Sequence, residues 1–174
     1  VKIFIHSLAF GALKSFINSN PKNVISQKQV EMTLDVMSNS IIYWCQELYF
    51  ANLLKKGSQI FGMTSSGSNR QWKSYGAVSM AKSALESACR QLALEFAPHG
   101  IASNAIMAGV TDTPALRKIP GNEDMIRQAI IKNPHGRLTT PQDIGDAVAM
   151  IGLSESTWMT GNSIRVDGGE DISG

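Results

Sequence analysis

The chain of 174 residues is 43% hydrophobic and 17% charged, enough for one core and too short for two ordinary domains. Its formal charge of +2 comes from lysines and arginines that never run beyond two in a row, which argues against a basic stripe for nucleic acid. No apolar stretch reaches bilayer length, the opening residues lack a signal-peptide pattern, and the 2 cysteines and 3 histidines fall outside metal-ligand spacing, so we expect a cytoplasmic protein with no metal, membrane or nucleic-acid partner.

Val1 to Ile5 is a short β-branched run that suits a buried parallel strand, and it breaks into a turn through Ser7, Leu8 and Ala9. The chain thus begins on a strand and on a residue other than methionine, and we expect it to be part of a longer polypeptide. Residues 12–28, with Asn18, Asn20, Pro21 and Asn23, read as an irregular surface segment. From Val30 to Leu54 the apolar positions Met32, Val36, Ile41, Trp44, Leu48 and Leu53 predict one long helix, closed by Lys55, Lys56 and Gly57 as a basic last turn and cap. Ser58 to Thr64 reads as a second strand, followed by the Ser65 to Ser68 loop.

Tyr75 to Pro98 is the second long helix, with Val78, Ala81, Leu85, Ala88, Cys89, Leu92 and Phe96 on one stripe. Cys45 and Cys89 sit within these helical apolar patterns and read as buried free thiols. A third strand, Ile101 to Gly109, opens a long excursion at residues 110–136, within which Asn122 to Lys132 has the acidic start and apolar face of a short helix. Thr140 and Pro141 begin a further helix running to about Leu153. Gly161 to Asp167 alternates as a last strand and stops at Gly168 and Gly169.

Strands alternate with helices throughout, which predicts an α/β domain with a mainly parallel sheet and right-handed crossovers. Ligands of such sheets bind beyond the carboxyl ends of the strands. Those ends are Ser7 to Ala9, Met63 to Ser66, and Ala108 to Thr113, so these loops and the start of the Tyr75 helix should converge on one crevice. Tyr75 and Lys82 stand seven positions apart, about two turns along one helix face. A cation near a phenol favours the phenolate, which would lower the tyrosine's proton affinity and make it a general acid.

Read together, Ser7-Leu8-Ala9, the Ser65 loop, Tyr75 with Lys82, SNAIMAGVTDT at 103–113, PHGRLTTPQDIG at 134–145 and TGNSIRVDGG at 160–169 resemble the short-chain dehydrogenase/reductase family over nearly the whole chain. The match is to the carboxy-terminal two thirds of a member. Ordinary members place three residues between Tyr and Lys, whereas six stand here; Ser7-Leu8-Ala9 replaces Asn-Ala-Gly, and Asp35 falls where they place a relay asparagine. These features are similar to the divergent branch of enoyl-[acyl-carrier-protein] reductases.

The resemblance implies a Rossmann-like, doubly wound sheet, incomplete at its N-terminal half, in a single partial domain over 1–174. It implies NADH or NADPH as cofactor and an acyl thioester on acyl carrier protein as substrate. Tyr75 would polarise the thioester carbonyl, with Ser65 standing where several enoyl reductases have a second tyrosine, and Lys82 would bind the nicotinamide ribose. Ser7, Leu8, Ala9, Met63, Ala108, Gly109, Val110, Thr111 and Thr113 would line the cofactor, and Leu116, Ile119, Met125 and Ile130 the acyl chain. Homotetramers or homodimers built on the two long helices are implied as well.

No Gly-x-x-x-Gly-x-Gly or Gly-x-Gly-x-x-Gly occurs, so the turn that cradles the pyrophosphate is missing from these residues. We therefore expect an apolar strand edge at Val1 to Ile5 and a polypeptide that by itself neither binds dinucleotide appreciably nor turns over. Two other readings stay open: a 3-oxoacyl or other carbonyl reductase using the same Tyr and Lys, and a non-catalytic remnant that oligomerises or binds acyl carrier protein.

Overall fold

The computed structural model describes residues 1–173. Four strands, β1 (Ile3–His6), β2 (Gln59–Ser65), β3 (Ala102–Ala108) and β4 (Ser163–Val166), form one sheet in the order β1-β2-β3-β4 with every pair parallel. Five helices connect them: α1 (Gln27–Leu34), α2 (Ser40–Phe50), α3 (Gly76–Phe96), α4 (Asn122–Lys132) and α5 (Pro141–Gly152). This is the Rossmann-like α/β arrangement anticipated from the sequence.

The pleat of β2 explains the layering. Ile60 and Phe61 are adjacent, both fully buried, and point to opposite faces. Ile60 packs with Ile41 and Cys45 of α2, Leu85, Cys89, Leu92 and Phe96 of α3, and Ala105 of β3. Phe61 packs with Ile106 and with Val148, Ile144 and Ile151 of α5. Both cysteines are buried and free, as expected.

Two of the connections therefore cross on the face that α2 and α3 cover, and the third, through α5, crosses on the other. Because the chain steps the same way across the sheet each time, the third crossover has the hand opposite to the first two. The expectation of uniformly right-handed crossovers fails at this connection, for the reason that α5 carries its apolar side to the face of Phe61.

The long helix expected at Val30 to Leu54 differs in three ways. It starts earlier, at Gln27, because Ser26 and Gln29 form a reciprocal cap: the Ser26 hydroxyl accepts the Gln29 N–H at 3.3 Å and the Gln29 side chain accepts the Ser26 N–H at 3.1 Å. A π turn at Asp35–Asn39 divides it into α1 and α2. It also stops at Phe50, with Asn52 in the left-handed region at φ 56°, so Lys55, Lys56 and Gly57 belong to the turn into β2 and not to a helix end.

β1 lies at an edge of the sheet with Ile5 46% exposed, which matches the expected apolar edge but not burial on both faces. The helices at Asn122–Lys132 and after Thr140 form where the acidic start and the Thr-Pro cap placed them. None of the helices is long and apolar enough to cross a membrane among the described residues. No group of three metal-ligating side chains occurs among them either.

Candidate active site

The carboxyl end of β2 organises the site through three successive residues. The Met63 carbonyl accepts a 2.6 Å hydrogen bond from the Lys82 ammonium. The Thr64 hydroxyl donates at 2.7 Å to the carboxylate of Glu86, one turn further along α3. The Ser65 hydroxyl adjoins the Tyr75 phenol and favours its ionised form. Helix α3 and its leading residue thus close over the strand end, which is where ligands of parallel sheets bind.

Tyr75 stands just before α3, in the first position outside the helix, rather than within it. Ser74 ahead of it is in the left-handed region at φ 62°, a conformation that costs a non-glycine residue energy and turns the chain sharply into α3. Across from the phenol is Gly67. A Cβ there would lie 2.7 Å from the tyrosine ring and 3.2 Å from the Ser65 hydroxyl, so the ring occupies space that only glycine leaves.

Burial governs the electrostatics. It raises the Tyr75 phenol above its ordinary value, and the neighbouring Ser65 hydroxyl opposes this only in part. The expected lowering by Lys82 is therefore overturned: desolvation sets the direction, the only opposing influence is Ser65, and Tyr75 stays a protonated donor. Lys82, 8% exposed, is pushed down to about 8 by burial, against the opposing charge of Glu86. Its proton is thus the more labile of the two.

His6, at the end of β1, is a residue that the sequence reading passed over. It is 3% exposed, its Nε2 lies 2.7 Å from the Ser40 hydroxyl, and that hydroxyl donates to the Val36 carbonyl inside the π turn at 2.7 Å. Burial first and the Lys82 charge second hold the imidazole below its usual value. The histidine links β1, the π turn and the Lys82 cation. Three histidines scattered in sequence gave no signal of this; only the position directly before Ser7-Leu8-Ala9 hints at it.

Other expected site residues divide in two. Ser7, Leu8 and Ala9 are exposed beyond β1, and Ala108 at the end of β3 with Gly109 and Val110 beyond it are half-buried, flanking the Met63 to Ser65 strand end. Thr111 turns its hydroxyl to the Gly109 carbonyl at 3.0 Å, and the Thr113 hydroxyl accepts the Leu116 N–H at 3.1 Å, so both shape their own loop. Leu116 and Ile119 are buried inside the excursion, Met125 is half-buried, and Ile130 is exposed. Asp35 faces outward, where it accepts the Tyr43 hydroxyl at 3.0 Å; Met37 and Ser38 are the buried members of the π turn.

Whether a nicotinamide nucleotide suits these residues can be judged from Lys82. The ammonium has three donors, the Met63 carbonyl takes one, and no carboxylate pairs with it within ion-pair distance among the described residues. A nearly buried cation with donors to spare fits a ligand rich in hydroxyl oxygens. The nicotinamide-ribose end of such a cofactor is accommodated on these terms, and the pyrophosphate end has no glycine-rich turn in this sequence.

A sequence profile described as Enoyl-(Acyl carrier protein) reductase matches residues 1–170. The enoyl-[acyl-carrier-protein] reductase [NADH] FabI of Buchnera aphidicola subsp. Baizongia pistaciae is 30% identical over 97% of this chain and 64% of its own length. The crystal structure of enoyl-[acyl-carrier-protein] reductase (NADH) from Aquifex aeolicus VF5 superposes with a TM-score of 0.85 at 29% identity, covering 99% of this chain and 66% of that one. The Bacillus cereus enoyl-acyl carrier protein reductase, solved with NADP+ and an indole naphthyridinone, gives 0.87 at 26% identity over 99% and 65%. The chain spans less than two thirds of the length of the curated relatives it matches first.

Proposed function

Since this chain belongs to the enoyl-(acyl carrier protein) reductase family of the short-chain dehydrogenases, we propose that the protein reduces the enoyl double bond of an acyl thioester carried on acyl carrier protein, using NADH or NADPH. The observation that carries the proposal is the pairing at the end of β2, where a protonated phenol and a nearly buried ammonium adjoin the same strand terminus. The bound nicotinamide would supply the hydride that arrives at the β-carbon of the substrate.

Tyr75 would donate its hydroxyl to the thioester oxygen, where negative charge builds as the double bond is reduced, and a donor already oriented there stabilises that charge most. Ser65 would orient the phenol. Lys82 would donate to the ribose hydroxyls and keep the local field positive. Ser7 to Ala9, Met63 and Ala108 to Thr113 would border the cofactor. The excursion at 110–136 would cover the acyl chain, with Met125 and the exposed Ile130 nearer the substrate than the buried Leu116 and Ile119. Self-association into a dimer or tetramer through α2 and α3 would cover their exposed Trp44, Phe50 and Leu94.

A second reading, reduction of a 3-oxoacyl or other carbonyl substrate, draws support from Ser65, which supplies a serine where several enoyl reductases carry a second tyrosine. Steady-state assays of the full natural polypeptide on crotonyl and acetoacetyl thioesters, each with NADH and NADPH, separate the two. Preferential reduction of the crotonyl thioester is expected. Preference for acetoacetyl would overturn the first reading in favour of the second.

A further inference from the structure

Residues after β4 fold back onto the strand ends, and the turn they make has a definite construction. One carboxylate oxygen of Asp167 accepts the Gly169 N–H and the other accepts the Asp171 N–H, each at 3.0 Å. Its carbonyl accepts the Glu170 N–H at 3.2 Å and the Asn133 side-chain amide at 2.9 Å. This fixes where the next two carboxylates point. Asp171 pairs with Arg70, in the loop that leads from β2 to Tyr75, at 2.7 Å, and with Arg165 of β4 at 3.0 Å.

Glu170 goes the other way. It is 8% exposed, and its Oε2 accepts the Val110 N–H at 3.0 Å. The Val110 carbonyl in turn accepts the Thr139 N–H at 3.1 Å, so both polar groups of that residue's backbone are engaged within the fold. The fit is close: a Cβ on Gly109 would lie 3.0 Å from the same Glu170 oxygen and 3.0 Å from the Asp167 α-carbon, and would collide with the Thr139 hydroxyl. A buried carboxylate holding a backbone amide is one of the stronger protein hydrogen bonds.

We propose that Glu170 is a positioning residue, whose carboxylate holds the Gly109 to Thr113 turn at the height from which that turn meets the nicotinamide cofactor. Asp171 ties the same segment to Arg70, so residues 167–171 set the spacing between the loops that flank Tyr75. The cofactor part of this inference rests on the reductase reading above; the latch itself does not.

Amide exchange, read residue by residue by NMR on the full natural polypeptide without cofactor, tests the latch apart from the chemistry. Glu170→Ala is expected to speed exchange at Val110 by about tenfold or more, the loss of a hydrogen bond to a charged group, with β2 and β3 amides unchanged. Glu170→Gln keeps an acceptor and should stay within about threefold. Unchanged exchange at Val110 in the alanine variant overturns the latch.

Should that variant fail to fold, the wild-type protein gives the answer by titration. Burial raises the Glu170 carboxyl, with Asp167 and Asp171 adding to the rise and Arg70 and the Val110 N–H opposing it. His135 also lies at the turn, its ring 3.3 Å from where a Cβ on Gly168 would stand. The Val110 amide shift should follow a carboxyl titrating above the ordinary range, and an amide that ignores it overturns the proposal. In reductase assays Glu170→Ala should raise the cofactor KM with a smaller fall in kcat; loosened exchange with an unchanged KM would overturn the cofactor role alone. A wild-type protein without reductase activity whose Val110 still responds would instead sink the functional reading and leave the latch standing.

Discussion

The Ser65 hydroxyl and the Tyr75 ring share the space that Gly67 leaves open, 3.2 Å and 2.7 Å from where a Cβ on that glycine would stand. The phenol therefore has a hydroxyl neighbour and a fixed lane, and it is buried enough to keep its proton. Tyr75→Phe, which removes only the hydroxyl, is expected to lower kcat by about 10²–10³-fold, the worth of one aimed donor, with cofactor KM changed by less than about threefold. Steady-state kinetics of the variant check it; a loss shared equally between kcat and cofactor KM would speak against the role.

Gly67→Ala should bring the same consequence indirectly. The added methyl would stand 2.7 Å from the Tyr75 ring, too close for either group to remain in place. Overpacking of this kind costs about 1–3 kcal/mol, so a lower denaturation midpoint and a fall in turnover are expected together. A variant with wild-type activity would show that the ring does not need its present position.

Lys82 predicts two pH dependences of different sign. Its ammonium titrates at about 8 in the folded chain and at 10.5 in a free side chain. Cofactor affinity should fall as pH rises through 8, with Lys82→Met weak and flat across the range and Lys82→Arg, which keeps its charge, free of the alkaline fall. Stability runs the other way: between those two values the unfolded chain holds a proton the folded one has lost, so the wild type gains stability with rising pH relative to Lys82→Met, by on the order of 3 kcal/mol at most. Urea titrations of both proteins near pH 7 and near pH 10 measure the difference, and parallel curves would refute it.

Trp72 anchors the excursion to the loop before Tyr75. Its indole N–H donates to the Pro120 carbonyl at 3.2 Å, and its ring lies against Gly121. Trp72→Phe removes the hydrogen bond and keeps most of the stacking area. A rise in acyl-substrate KM of about threefold to tenfold at nearly constant kcat is expected, as for lost uniform binding, together with faster protease cleavage within residues 115–132. Unaltered KM would separate the excursion from the substrate.

Trp44 on α2 is 55% exposed and Leu94 on α3 is 70% exposed. A charge placed among such residues opposes association, so Trp44→Glu should convert a dimeric or tetrameric protein to a smaller species in light scattering coupled to size exclusion. A wild type that is already monomeric would end this assignment.

The fold was legible because short apolar strand runs alternate with helical patterns and its later helices carry explicit starts: Thr140-Pro141 and the acidic turn with Glu123 and Asp124 gave the first residues of their helices. The long first helix was misjudged because apolar periodicity runs straight through Asp35–Asn39, where one extra residue per turn changes the hydrogen bonds without changing the pattern. Ser26 and Gln29 did carry the cap signature that would have placed its start. Tyr75 and Lys82 could be picked out by spacing, but the direction of the tyrosine's shift could not, since desolvation depends on what surrounds the ring. His6, Ser40 and Glu170 were invisible for a related reason: each matters through a partner at least 34 residues away.

The unequal cover of the sheet has a mechanical side. Two helices, α2 and α3, share one face, whereas on the other face α5, 12 residues long, screens Ile3, Phe61, Ile106 and Ile164 single-handed among the described helices packed there. If α5 peels away, the strand that carries Met63 to Ser65 loses its backing at a stroke, and the phenol and ammonium are left on a slab with water behind it. Fraying should begin there on warming, well before the side under α2 and α3 gives way.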